Sequence, residues 1–72
     1  MVDLKRITAE SLERIRKREG LSHSELADKL GINRTTLYLY ESGKRILPTE
    51  MIYRLHERLG IEPNEVLKIV KD

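Results

Sequence analysis

Apolar residues recur along this chain at spacings of three and four, the period of a helix with one buried face. Leu12 and Ile15 begin the pattern, followed by Leu26, Ala27 and Leu30, then Leu37 and Tyr40. Ile52, Leu55 and Leu59 form a fourth set, and Val66, Leu67 and Val70 a fifth. No stretch alternates with period two for long enough to make a strand. Helix punctuation falls between the sets. The first helix is predicted from about Thr8 to Glu19, capped by Thr8 and ended by Gly20, with residues 1–7 an arm or an extension of it. Ser22-His23-Ser24-Glu25 opens the second as a capping box, in which serine and glutamate satisfy free backbone N–H groups reciprocally. Gly31 is placed as its C-terminal cap. Asn33 caps a third helix reaching Ser42. Thr49 caps a fourth that stops at Gly60, and Pro63 suits the first turn of a fifth. The expectation is an all-α fold of five helices in a single domain over 1–72.

Composition narrows the options. Seventy-two residues lie near the lower size for a core without staples, and the lack of cysteine excludes disulfides and thiolate metal sites. His23 and His56 are too far apart in sequence to nucleate a metal site, so no metal or cofactor is expected. No apolar run approaches the ~20 residues of a membrane span, and a cytoplasmic location is expected. A net charge of +2 says little about partners by itself; where the bases sit matters more. Charged residues at 36%, with no glutamine, suit a thermophile.

Leu21–Gly43 carries the functional signal: a short helix, a tight turn at Gly31-Ile32-Asn33 and a second short helix. Ala27 is small where two helices must approach, and Ile32 plugs the turn. Together these make a helix-turn-helix over about 22–42, whose second helix enters the DNA major groove. The runs Leu21-Ser22-His23-Ser24-Glu25-Leu26-Ala27, Leu30-Gly31-Ile32-Asn33-Arg34-Thr35-Thr36-Leu37 and Tyr40-Glu41-Ser42-Gly43-Lys44-Arg45 closely resemble the phage Cro/repressor-like (XRE-type) helix-turn-helix family. The resemblance extends from about Leu12 to Leu67. It implies a compact, lambda-repressor-like five-helix domain that binds operator DNA, commonly as a two-fold dimer. It also implies that Arg16 pairs with Glu41, tying the first helix to the third. Two positions depart from the family: His23 replaces a glutamine that helps hold a phosphate, and Leu39 stands where many members have a polar base-reading side chain.

The geometry of the third helix supports the same reading. With Leu37 and Tyr40 inward, Arg34/Tyr38 and Thr35/Leu39 face out as i, i+4 pairs, with Ser42 one turn beyond. Arg34 can grip guanine O6 and N7, Thr35 can meet a base edge or thymine methyl, Tyr38 can reach a base or phosphate, and Leu39 can pack on thymine methyls. Two large adjacent side chains turned to water mark a contact surface. Ser42, Lys44 and Arg45 are candidate phosphate contacts beside the helix; His23 is either another or a solvated first-turn residue. Arg14 and the run Arg16-Lys17-Arg18 complement a helix C-terminus. Ile61 and Ile69 are candidates for a dimer interface, the alternative being a staple on the fifth helix and an ordinary exposed residue. No Ser/His/Asp arrangement converges on a pocket, so neither an enzyme nor a small-molecule site is expected. The leading expectation is a homodimeric transcriptional repressor on a palindromic or pseudo-palindromic double-stranded operator. The alternative is a protein–protein adaptor or antitoxin on the same scaffold. A sequence-blind architectural binder is disfavoured by the small charge.

Overall fold

The computed structural model describes residues 3–68. Five helices follow one another: α1 (Leu4–Arg18), α2 (His23–Leu30), α3 (Arg34–Glu41), α4 (Thr49–Leu59) and α5 (Pro63–Leu67). α1 packs on α3 and α5, α2 on α3 and α4, and α4 on α5. Leu12, Ile15, Leu26, Leu30, Leu37, Leu55 and Val66 are fully buried where these faces meet.

Two expected caps fall elsewhere. α1 begins four residues ahead of Thr8, because the Asp3 carboxylate accepts from the Arg6 N–H at 3.3 Å and caps the helix. Thr8 is buried mid-helix, its hydroxyl donating to the Leu4 carbonyl at 2.7 Å, which leaves it no role as a cap. Residues 4–7 are therefore helical extension rather than arm. At α4 the cap position belongs to Pro48, and Thr49 is the first helical residue. The proline ring pre-sets φ at −70°, and its carbonyl accepts from Met51 and Ile52.

The inward face of α4 also differs from the spacing pattern. Met51 and Leu55 are buried, while Ile52 and Leu59 pack at the edge of the core. Leu47, in the loop before α4, is buried as well. Ile61 corrects the dimer expectation: it is only 3% exposed and lies within the core. The left-handed Gly60 turn, with Ile61 N–H bonded to the Leu55 carbonyl at 3.2 Å, directs the chain inward there. Ile69 and Val70 lie outside the described residues.

Two arginines of α4 close the far end of α2. Arg54 Nη1 donates to the Leu30 carbonyl and Arg58 Nη1 to the Lys29 carbonyl, each at 2.6 Å. Cations at this end also complement the helix dipole. Gly31 makes room for them: its φ is +69°, and a Cβ there would sit 3.1 Å from Arg54 Nη1. Gly31→Ala is expected to lower stability by about 1–2 kcal/mol, the cost of a left-handed backbone at a residue with Cβ. The readout is the urea midpoint, and an unchanged midpoint would mean that the turn relaxes into another conformation.

Candidate nucleic-acid interface

The α2–turn–α3 unit is built from local hydrogen bonds at its corners. At the start of α2 the Ser22 N–H donates to Glu25 Oε1 at 2.8 Å, and the Glu25 N–H donates to Ser22 Oγ at 3.1 Å. The backbone N–H of Ser22 holds the Glu25 carboxyl below its ordinary pKa. The turn closes with the Ile32 N–H on the Ala27 carbonyl at 3.0 Å. Asn33 Oδ1 then accepts from the Thr36 N–H at 2.8 Å and starts α3. These bonds leave the first N–H groups of both helices, at His23, Ser24, Arg34 and Thr35, without a partner among the described residues.

α3 turns Leu37 and Tyr40 into the core and presents Arg34, Thr35 and Tyr38 outward. Tyr38 is 46% exposed. Leu39 is half-buried rather than fully outward, so the two adjacent large side chains are not equally open to solvent. Beyond α3, the Leu39 carbonyl accepts from the N–H groups of Lys44 and Arg45, both at 3.1 Å. That fold-back sets exposed Ser42, Lys44 and Arg45 beside the helix. It depends on Gly43, whose φ is +77° and whose missing Cβ would lie 3.7 Å from the Lys5 carbonyl of α1.

Charge separates the two kinds of base. Arg16 and Arg18 bond carboxylates, Arg14 bonds the Glu65 carbonyl, and Lys17 pairs with Glu13, whose carboxyl the Lys17 ammonium holds below its ordinary value. The basic run of α1 is thus tied down by side chains and carbonyls. Arg34, Lys44 and Arg45 have no ion pair among the described residues, nor do Lys5 and Arg6. Lys5 and Arg6 went unremarked in the sequence because their segment reads as a possible arm. The Gly43 approach brings this end of α1 against the loop holding Lys44 and Arg45.

Arg16 and Glu41 meet beneath this face, with Nε 3.3 Å from Oε1 and side chains only 13% and 8% exposed. Arg16 also donates to the Leu21 carbonyl at 3.1 Å, so one guanidinium links α1, the start of the α2 turn and α3. His23 Nε2 lies 3.3 Å from Glu41 Oε2, and its ring packs on that of Tyr38, centroids 4.8 Å apart. No helix among the described residues is long and apolar enough to cross a membrane.

Two short helices joined by a glycine turn, the second with an open polar face, define a helix-turn-helix protein. Comparison with known proteins agrees. The helix-turn-helix family profile matches residues 12–66. A protein of Pyrococcus abyssi, named for the HTH-type transcriptional regulatory proteins, is 38% identical over 66 residues, covering 88% of this chain and 21% of its own length. One of the same name from Thermococcus gammatolerans is 34% identical over 70 residues, covering 93% of this chain and 22% of its own. A transcriptional regulator from Listeria innocua superposes with a TM-score of 0.76 at 28% identity, over 90% of this chain and 61% of its own. This chain belongs to the XRE/Cro–C1-type helix-turn-helix family. It spans about a fifth of the length of the archaeal relatives it matches, which come from thermophiles.

Proposed function

We propose that this chain reads double-stranded DNA sequence-specifically through α3 and regulates transcription, acting as a repressor by occupying an operator. One observation carries the reading. The four backbone N–H groups at the starts of α2 and α3, and the cations Arg34, Lys44 and Arg45 on and beside α3, have no partner among the described residues. Helix N-termini with open donors attract anions, and cations without carboxylates are free to neutralise phosphates. In this reading Arg34 and Thr35 meet base edges from the first turn of α3, while Tyr38 and Leu39 supply apolar contact to thymine methyls. His23, Ser42, Lys44 and Arg45 hold the flanking phosphates and fix the register. Lys5 and Arg6 extend that phosphate track.

One α3 covers one half-site, so the proposal includes a homodimer on a palindromic or pseudo-palindromic operator, in the cytoplasm where that DNA lies. Two-fold partners reach successive major grooves ~34 Å apart. The test is selection of bound duplexes from a random pool, followed by fluorescence-anisotropy titration. The expected result is enrichment of paired half-sites about 10 bp apart, centre to centre. Equal binding to all duplexes would remove sequence specificity from the reading. Binding to none would overturn it and leave the α3 face as a protein contact.

A further inference from the structure

The contact between His23 and Glu41 has a chemical consequence for anion binding. The Glu41 side chain is 8% exposed, and its Oε2 is buried without a hydrogen-bond partner among the described residues, with the imidazole Nε2 of His23 lying 3.3 Å from it. A buried carboxylate oxygen needs a donor, so the His23 proton belongs on Nε2. The second ring nitrogen, Nδ1, bonds nothing among the described residues and is not fully buried, on a side chain that is 33% exposed. In the neutral ring, Nδ1 then carries a lone pair and repels a phosphate oxygen. In the imidazolium it donates.

We propose that DNA binding takes up a proton at His23, whose imidazolium bridges the buried Glu41 carboxylate and a backbone phosphate. The inference rests on the DNA-binding reading above and names a residue through which that same face is regulated. The surroundings support it. From α3, His23 meets the Glu41 carboxylate and the Tyr38 ring, the latter tilted by 31°. From α1 it faces Arg16, already committed to Glu41 and the Leu21 carbonyl, and the Glu13–Lys17 pair. On its own helix, Glu25 is turned back onto the Ser22 N–H. One buried carboxylate is thus offered to the ring on one side, and the other side is left for an anion. His23 also buttresses Tyr38, so its charge state bears on a side chain of the recognition surface.

The sign follows from linkage. A phosphate oxygen against Nδ1 favours the protonated ring over the neutral one. The added affinity is present at low pH and is lost as pH rises. Anisotropy titration at constant ionic strength, using the selected duplex and a random duplex of equal length, should show Kd rising by up to about tenfold per pH unit, the limit for one proton. His23→Gln should lose the slope whatever its affinity at a single pH, because an amide has no proton to gain. A variant that keeps the full slope overturns the proposal. A second measurement needs no variant: the His23 ring protons, followed by NMR, should titrate at higher pH with duplex than without, against His56 as internal reference. Equal His23 midpoints overturn the proposal. Binding without any pH slope overturns it alone, whereas absence of duplex binding at every pH overturns the DNA-binding reading with it.

Discussion

Glu41→Ala is expected to destabilise this protein by about 3–5 kcal/mol, the range for breaking a buried ion pair from one side. The reason is desolvation. The Arg16 guanidinium is 13% exposed, and removing the carboxylate leaves its charge in place without a counter-ion. Among the described residues, only the Leu21 carbonyl, at 3.1 Å, remains bonded to it. The loss is a large share of the 5–15 kcal/mol that holds a typical domain together. At roughly 4–8 °C per kcal/mol for a chain this short, the melting temperature should fall by roughly 12 °C or more. Replacing both partners by apolar residues of similar volume, Arg16→Met with Glu41→Leu, should recover most of the loss, because no buried charge then lacks a partner. The exposed Glu13–Lys17 pair is the control: Glu13→Ala should leave the melting temperature near that of the wild type. An unchanged melting temperature for Glu41→Ala would show that the Leu21 carbonyl and solvent suffice for Arg16.

The second large effect is on DNA. Arg34→Ala should weaken binding to the best operator by about 1–3 kcal/mol and relax the preference at one base pair, since a bidentate guanidinium–guanine contact carries that much discrimination. Arg34 is suited to the role because it is exposed on the first turn of α3 and pairs with no carboxylate among the described residues. Lys44→Ala tests the opposite role. Its ammonium sits on the fold-back held by the Leu39 carbonyl, beside the helix rather than on it. It should weaken all duplexes alike and lower the salt slope by roughly one unit, the signature of a lost phosphate contact. The two variants are compared by titrating the selected operator and its single-base substitutions at several salt concentrations. Equal, sequence-blind losses from both would remove base reading from Arg34.

The corners of the helix-turn-helix were legible in the sequence because each is decided within three or four residues. Ser22 with Glu25, and Asn33 with Thr36, are caps whose donor and acceptor lie on one turn of chain, and both form as their spacing predicts. Gly31 and Gly60 end their helices in left-handed backbone that other residues adopt only with strain. The outward face of α3 is similarly local. Once Leu37 and Tyr40 turn inward, helical geometry alone sends Arg34, Thr35 and Tyr38 outward.

Other features wait on distant partners, and there the sequence was silent or ambiguous. Spacing placed Ile52 with Leu55 and Leu59 on the inward face of α4, but Met51, also within about one turn of Leu55, takes the buried place, because the neighbouring helices decide which side of the stripe is covered. Ile61 reads equally well as an interface residue or a staple, and it is buried because the Gly60 turn carries it into a space that the core leaves open. Thr8 has the chemistry of a cap but lies inside α1, because Asp3 offers an earlier one. The carbonyls at the end of α2 are satisfied by Arg54 and Arg58, more than twenty residues away. His23 meets Glu41 and Tyr38 only when α2 and α3 are packed together. Short-range hydrogen bonds and helical period thus determined the elements and the outward face of α3 from the sequence itself. The burial of each boundary residue and the partner of each charge depend on desolvation by other helices, which exists only once those helices are in place.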